Sequence, residues 1–441
     1  MLTTEQLTRP LTEEQEPYPV MIGPLAESAL ISAGTDYYKP TMSQVAFNKE
    51  PNAEVRFTFK NRGNQRLLDY IDPDNLQARF DAIRDKGWSD MELAYLGSIT
   101  NSDDEAVFSQ EYLDHIKSSS MPEAVVRYDE DKDDLAIDTT GPWEMATFWE
   151  TVVMSQVNEA YFENYMIKHN LNPIDVYNEG DKRLSEKIAI LKDNPDIKFA
   201  DFGTRRRFSL RWQMHVLERL AAECPDNFIG TSNVALANKY GVKPIGTFAH
   251  EMTMVYAALA DARGEDIRGS HNQFLEDWYE EYGEDYSIAL TDTFKTDFFF
   301  SDFTPQQAKD WKGTRQDSGD PVAYGEKLIE FYESHGVDSL DKTVVFSDGL
   351  DINQIVALQE HFGGRINVVF GWGTTLTNDL GLKTLNVVMK ATMALDNLLN
   401  VWAEAVKMSD DSGKITGPQE KVKMYADGPF KIDRDEINET T

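Results

Sequence analysis

From about residue 145 onward the chain consists of short apolar runs that end in Gly, Thr, Asp or Ser, most followed by apolar residues at helical spacing. A run of a few β-branched or aromatic residues followed by a 3.6-residue period predicts a βα unit. The run ends are Phe199 to Arg205, Phe228 to Ser232, Ile245 to His250, Ile288 to Asp292, Thr314 to Asp320, Val345 to Gly349 and Val369 to Thr374. Seven such ends predict an α/β barrel, because a closed parallel barrel turns the C-terminal end of every strand to one mouth. An open doubly wound sheet is the alternative, since strand order is not visible in a sequence.

Upstream the texture differs. The polar turn Gly34 to Met42 leads into a helix, and the alternating run Ala53 to Lys60 reads as a strand with one buried face. Residues 65–135 mix helical periods with two acidic stretches, Ser102 to Glu105 and Asp129 to Asp134, which read as solvated faces or loops. Residues 1–25 show no periodicity and read as a lead-in. The expected organisation is an extension over 1–30, an N-terminal α/β domain over 31–145 rejoined by 400–441, and a catalytic barrel over 146–399.

With 441 residues, 41% of them hydrophobic, the chain can bury a large core and exceeds one typical domain. The formal charge of −33 repels phosphate polymers, which argues against nucleic acid and anionic membrane as partners. The acidity itself reads as ordinary solubility charge or as adaptation to a salty habitat. The single cysteine, Cys224, has no partner for an intramolecular disulfide, which fits a reducing cytoplasm. No stretch approaches the roughly 18 to 20 apolar residues of a membrane span.

Four places carry candidate chemistry. Ser347-Asp348-Gly349 and Gly371-Trp372-Gly373-Thr374 close the last two βα units, where glycines let backbone amides approach an anion and where barrels commonly hold phosphate. Neither is a P-loop or a dinucleotide fingerprint. Thr204-Arg205-Arg206-Arg207 concentrates cations beside a strand end. Arg205 is the expected anion contact, Phe202 just before it offers a ring face, and at least one of Arg206 and Arg207 is expected on an outer helix face. Arg315-Gln316-Asp317 with Asp320 combines a cation and carboxylates as a phosphorylated sugar would need. His250 stands at a strand mouth as structural histidine, general acid or base, or phosphoryl acceptor. Position 254 is Met254, which rules out H-E-x-x-H zinc ligation.

Taken together, G-T-D-Y-Y-K-P-T-M at 34–42, D-F-G-T-R-R-R at 201–207, G-T-S-N at 230–233, G-T-F-A-H-E at 246–251, R-Q-D-S-G-D-P at 315–321, S-D-G-L at 347–350 and F-G-W-G-T at 370–374 resemble the nicotinate phosphoribosyltransferase family. The resemblance runs from about residue 32 to 410 and implies the type II phosphoribosyltransferase fold: an irregular α/β barrel with an N-terminal α/β domain, in a homodimer with active sites at the interface. It implies that nicotinate and phosphoribosyl pyrophosphate give nicotinate mononucleotide and pyrophosphate in NAD synthesis, with ATP hydrolysed and Mg2+ accompanying the pyrophosphate. By position, His250 matches a histidine phosphorylated by ATP, with Arg315 and Asp317 also catalytic. Phe202 and a partner-derived Tyr38 would sandwich the pyridine ring; Arg205 and Thr247 would touch nicotinate; Arg315 would lie at its ribose end, and Asp317 would hold ribose hydroxyls. Ser347, Asp348, Gly349, Gly373 and Thr374 would cradle the 5′-phosphate. Ser232 stands where a nicotinamide-using sister enzyme has an aspartate, which favours the acid over the amide. The acidic region around 70–135 departs from the family pattern. The rival readings are a sugar-phosphate aldolase or isomerase barrel, which would want a lysine or paired acids at a strand tip, and a non-catalytic regulator, which would have lost the reactive positions.

Overall fold

A computed structural model of the chain describes residues 26–432, so most of the expected 1–30 extension lies outside the described residues. Strands β1 (Ala53–Asn61), β2 (Ala124–Asp129), β3 (Asp134–Pro142), β10 (Val387–Asp396) and β11 (Val401–Glu404) form an antiparallel sheet in the order β11-β10-β1-β3-β2. The alternation in β1 has its expected result. Val55, Phe57 and Phe59 are buried while Glu54, Arg56, Thr58 and Lys60 turn outward, because successive side chains leave opposite faces of the pleat.

The second sheet holds β4 (Phe199–Asp201), β5 (Phe228–Thr231), β6 (Ile288–Leu290), β7 (Gly313–Gln316), β8 (Thr343–Phe346) and β9 (Asn367–Trp372), in the order β5-β4-β9-β8-β7-β6 and parallel throughout. These strands are short and almost wholly buried, which is why they read as apolar runs without alternation. Six of the seven expected run ends lie at the C-terminal ends of these strands.

The seventh differs. The segment before His250 is not a strand: it carries one isolated bridge, Thr231 to Pro244, and bonds Ile245 N to Thr231 O at 2.9 Å on one side. On the other side the Thr247 hydroxyl donates to Ile288 O at 3.2 Å. Pro244 has no N–H to give a ladder, so the segment spans from β5 to β6 as extended coil, and no regular ladder joins those two strands.

Helices α1 (Tyr38–Lys49), α2 (Trp149–Lys168), α3 (Pro173–Asp193), α4 (Leu210–Glu223), α5 (His250–Arg263) and α6 (Ile352–Phe362) pack around the sheets. Helix α5 starts at the rim of the parallel sheet and packs on β10 and β11 of the other sheet, so it is buried nearly all round. It ends at Gly264 in the left-handed conformation, φ 70°.

The return to the N-terminal sheet begins at Val387, earlier than the expected residue 400, because β10 pairs along the whole of β1. After β11 the chain crosses back instead of staying there. Met408 N bonds Thr293 O at 2.8 Å, and α7 (Gln419–Asp427) seats Tyr425 and the following Phe430 against Ala257, Phe294 and Phe298. The crossing brings tail lysines to carboxylates at the strand ends.

Candidate active site

The end of β7, the end of β6 and the start of α5 converge. His250 is 3% exposed. Its Nδ1 lies 3.0 Å from Thr293 Oγ1, and its Nε2 lies 2.9 Å from Asp317 Oδ2 and 2.8 Å from Lys407 Nζ. The two Nε2 contacts are alternatives, since Asp317 calls for N–H there and Lys407 for a lone pair. Burial and the Lys407 charge push the His250 pKa down to about 4, with Asp292 and Asp317 pulling the other way. The ring is therefore neutral near pH 7 and keeps a lone pair on one nitrogen. Burial works against the Asp317 carboxylate too. The hydrogen bond with His250 and the charges of Lys407 and Arg315 nevertheless hold its pKa well below the ordinary range.

Lys407 also pairs with Asp292 Oδ2 at 2.9 Å. His250, Asp292 and Asp317 present ligand-type atoms within 4.8 Å of one another, and the Lys407 ammonium stands among them. The second oxygen of Asp292, Oδ1, is buried without a hydrogen-bond partner. An oxygen-rich set of this kind fits a hard cation such as Mg2+ arriving on a phosphate group.

Beside this cluster, Ser347 Oγ donates to Gln316 O at 2.9 Å, and Lys414 Nζ donates to Asp317 O at 2.6 Å and pairs with Asp348. Asp348 thus turns its carboxylate to a lysine, and positive charge at this end comes from Lys414. Gly349 takes the left-handed turn, φ 61°. At Gly371 a Cβ would lie 2.4 Å from the Phe202 ring and 3.1 Å from Ser347 Cβ, so Phe202 and Ser347 meet across a glycine that admits no side chain. Gly373 and Thr374 begin the short helical turn Thr374–Thr377.

At the other end, Arg205 Nε lies 3.2 Å from Asp36 Oδ2 and Nη1 lies 3.4 Å from Glu150 Oε1, with its guanidinium 5.5 Å from the Tyr38 ring centroid. Ser232 Oγ donates to Asp36 Oδ1 at 2.6 Å. A carboxylate therefore does stand at position 232's side of the site, already satisfied by a serine and an arginine. Within the chain, the Tyr38 ring lies over Arg205 and its backbone carbonyl accepts from Thr41 Oγ1 at 3.0 Å. Thr247 spends its hydroxyl on Ile288 O and its carbonyl on Thr41. Tyr38 Oη and Arg315 Nε are buried with no hydrogen-bond partner, as groups awaiting a polar ligand are.

Of the two arginines with an outer-face reading, Arg207 does not take it. It is fully buried, bonded to Glu159 at 2.8 Å and to Gln213 at 3.3 Å, because the chain turns inward before α4 begins. Beneath Arg205 lies a buried charge cluster: Lys39 Nζ sits 2.6 Å from Glu150 and 2.5 Å from Glu251, and Glu251 also accepts from Trp143 and Thr147, each at 2.7 Å. Lys390, on β10, is 3.8 Å from Glu150, and burial pushes its pKa down to about 8.

Sequence reading passed over Asp36, Lys39, Glu150, Asp292, Lys390, Lys407 and Lys414 as site residues. Asp36, Lys39 and Asp292 stand inside the motifs named above, and Lys407 opens the tail segment Lys407 to Asp410, so a signal existed for these; Glu150, Lys390 and Lys414 carry none.

Two family models match the chain: the nicotinate phosphoribosyltransferase (NAPRTase) family over residues 197–433 and the NAPRTase N-terminal domain over residues 34–158. A nicotinate phosphoribosyltransferase of Chromobacterium violaceum is 37% identical over 411 residues, spanning 90% of this chain and 96% of that protein. The crystal structure of nicotinate phosphoribosyltransferase from Porphyromonas gingivalis superposes with a TM-score of 0.81 at 29% identity, covering 90% of this chain and 98% of that one. The Vibrio cholerae nicotinate phosphoribosyltransferase structure superposes with a TM-score of 0.78 at 29% identity, covering 94% and 99%.

Proposed function

Since the chain belongs to the nicotinate phosphoribosyltransferase family, we propose that the cluster from Tyr38 to Thr374 joins nicotinate to phosphoribosyl pyrophosphate, and that His250 couples the reaction to ATP. The reaction serves NAD biosynthesis. The pyridine nitrogen attacks C1′ of the sugar as the C1′–O bond to pyrophosphate breaks, giving nicotinate mononucleotide and pyrophosphate. A cationic sugar forms along the way, so the site needs placed neighbours more than a strong base.

The observation that carries this reading is the pairing of a neutral, buried His250 with Asp317 and Lys407, in line with unpartnered Arg315 Nε and Tyr38 Oη. Phe202 and Tyr38 offer ring faces to the pyridine, and Arg205 and Arg315 offer charge to the carboxylate and ribose end. Asp317 accepts from ribose hydroxyls, and the loops with Ser347, Gly349, Gly373 and Thr374 take the 5′-phosphate. Mg2+ would reach the site on pyrophosphate and be met by Asp292 and Asp317, neutralising the leaving group when bound. In the ATP half-reaction a lone pair of the His250 ring attacks the γ-phosphorus, ADP leaves, and water later takes the phosphoryl group as inorganic phosphate.

The rival aldolase or isomerase would use a lysine or paired acids at a strand tip; Asp292 and Asp317 are such a pair, and membership of the transferase family weighs against that use of them. Lys407 reaches the tips from the tail and is ion-paired with Asp292, which favours transfer chemistry. A homodimer in the cytoplasm is the setting we propose. No helix among the described residues is long and apolar enough to cross a membrane. The deciding experiment incubates purified protein with nicotinate, phosphoribosyl pyrophosphate, Mg2+ and ATP and follows mononucleotide and pyrophosphate; unconsumed nicotinate overturns the assignment.

A further inference from the structure

The loop that carries Gly373 and Thr374 has little structure of its own. Its short turn closes through Leu376 N and Thr377 N, which bond Gly373 O at 3.0 and 3.2 Å, so the amides of Thr374 and Thr375 come ahead of the turn's first bonds. What lies behind the turn is α3. Lys187, 8% exposed, donates from Nζ to Thr375 O at 2.5 Å and to Asp379 Oδ2 at 2.8 Å, with Trp372 5.9 Å away. Arg183, one helical turn earlier on the same face, holds Asp379 Oδ1 at 2.9 Å. Gly180, a further turn back, leaves the space that Leu380 and Trp212 fill.

We propose that Lys187, with Asp379, is a positioning residue for the 5′-phosphate of the sugar donor, fixing the Gly373–Thr375 backbone from the face opposite the ligand. It rests on the assignment of this loop to the phosphate made above. A trans peptide keeps its C=O and the next N–H antiparallel, so holding Thr375 O against α3 aims Leu376 N at Gly373 O. That bond in turn leaves the Thr374 and Thr375 amides outside the turn's own hydrogen bonds, as donors for the ligand. The same turn is stitched to its neighbours. Thr375 Oγ1 donates to Leu350 O and accepts from Trp372 Nε1 at 2.6 Å, while Asn378 Nδ2 donates to Arg206 O at 2.7 Å. Without Lys187, the part-buried Thr375 carbonyl would lose its side-chain donor and Asp379 would keep only Arg183, on Oδ1, so the turn would reorient to recover a partner.

Lys187→Met removes the donor and keeps most of the side-chain volume. The expected result is a KM for phosphoribosyl pyrophosphate raised on the order of ten-fold, with kcat and the KM for nicotinate changed less than about two-fold, since small misplacements of ligand-holding backbone cost that much. Ribose 5-phosphate should weaken as a competitor by the same factor. Lys187→Arg, which keeps a cationic donor, should recover most of the loss. An unchanged KM for phosphoribosyl pyrophosphate, or a rise in both KM values together with a fall in kcat, overturns the proposal. If Lys187→Met fails to fold, Asp379→Asn in the full chain gives the second reading, with a smaller rise in the same KM expected and an unchanged value overturning. Wild-type protein that forms no mononucleotide would sink the family assignment, whereas active wild type with an unmoved Lys187→Met sinks this proposal alone.

Discussion

Lys407 Nζ stands 2.8 Å from His250 Nε2, a residue of the C-terminal tail against one at the start of a helix 157 positions earlier. The cation is one reason the ring stays neutral, because a positive neighbour disfavours the imidazolium. Lys407→Met should let the His250 pKa climb from about 4 toward its ordinary 6.5, since Asp292 and Asp317 remain. The phosphohistidine formed on brief ATP exposure should then fall as pH drops from 7 to 6 in the variant and hold steady in the wild type. Identical pH profiles would show that Lys407 does not tune the ring.

His250→Ala should abolish ATP stimulation and leave ATP-independent transfer, because Tyr38, Phe202, Arg205 and the phosphate loops are untouched. Parallel assays with and without ATP check it. Equal loss of both activities makes His250 a structural residue or a direct participant in ribosyl transfer.

The depressed His250 pKa also has a stability consequence with a definite sign. The unfolded chain binds a proton at this position near pH 6.5, the folded chain only near 4, so stability falls as pH drops through that window. Replacing His250 with Asn, which cannot titrate, should flatten the decline in melting temperature between pH 6.5 and 4. A decline as steep as that of wild type would assign it to other groups.

Ser232→Asp would place a second carboxylate at hydrogen-bond distance from Asp36, which Ser232 Oγ now satisfies at 2.6 Å. Like charges there, beside a substrate carboxylate, should lower kcat/KM for nicotinate by about ten-fold or more, one tenfold step per 1.4 kcal/mol of repulsion. Competition assays with nicotinate and nicotinamide measure the shift; no change in their ratio would remove Ser232 from substrate choice.

Lys39→Met should be among the most damaging single changes. Glu150 and Glu251 would be left buried beside each other without their shared cation, which costs roughly 3 to 5 kcal/mol. Denaturant titration reads it directly, and a loss below about 1 kcal/mol would mean that Lys390 and Arg205 compensate.

What the sequence determined by itself was the order of βα units and the loops at their strand ends. Apolar runs, helical periods and glycine-rich ends are local properties, and each strand tip is adjacent in sequence to the loop it delivers. That is why the placing of Phe202, Arg205, Arg315, Asp317, Ser347 and Gly349 at strand ends was legible, and why β1 was legible through its period of two. Tertiary structure alone decided what meets those tips. Lys407 and Lys414 come from a tail whose local pattern is unremarkable, and they are drawn across because buried Asp292 and partly exposed Asp317 and Asp348 require cations. Arg207 turned inward because Glu159, on a distant helix, waits there. The segment before His250 reads as a strand yet lacks the partners and, at Pro244, the N–H to form one. Periodicity reports which face of an element is apolar; the pairing of buried charges depends on Coulomb attraction between residues that only folding brings within a few ångströms.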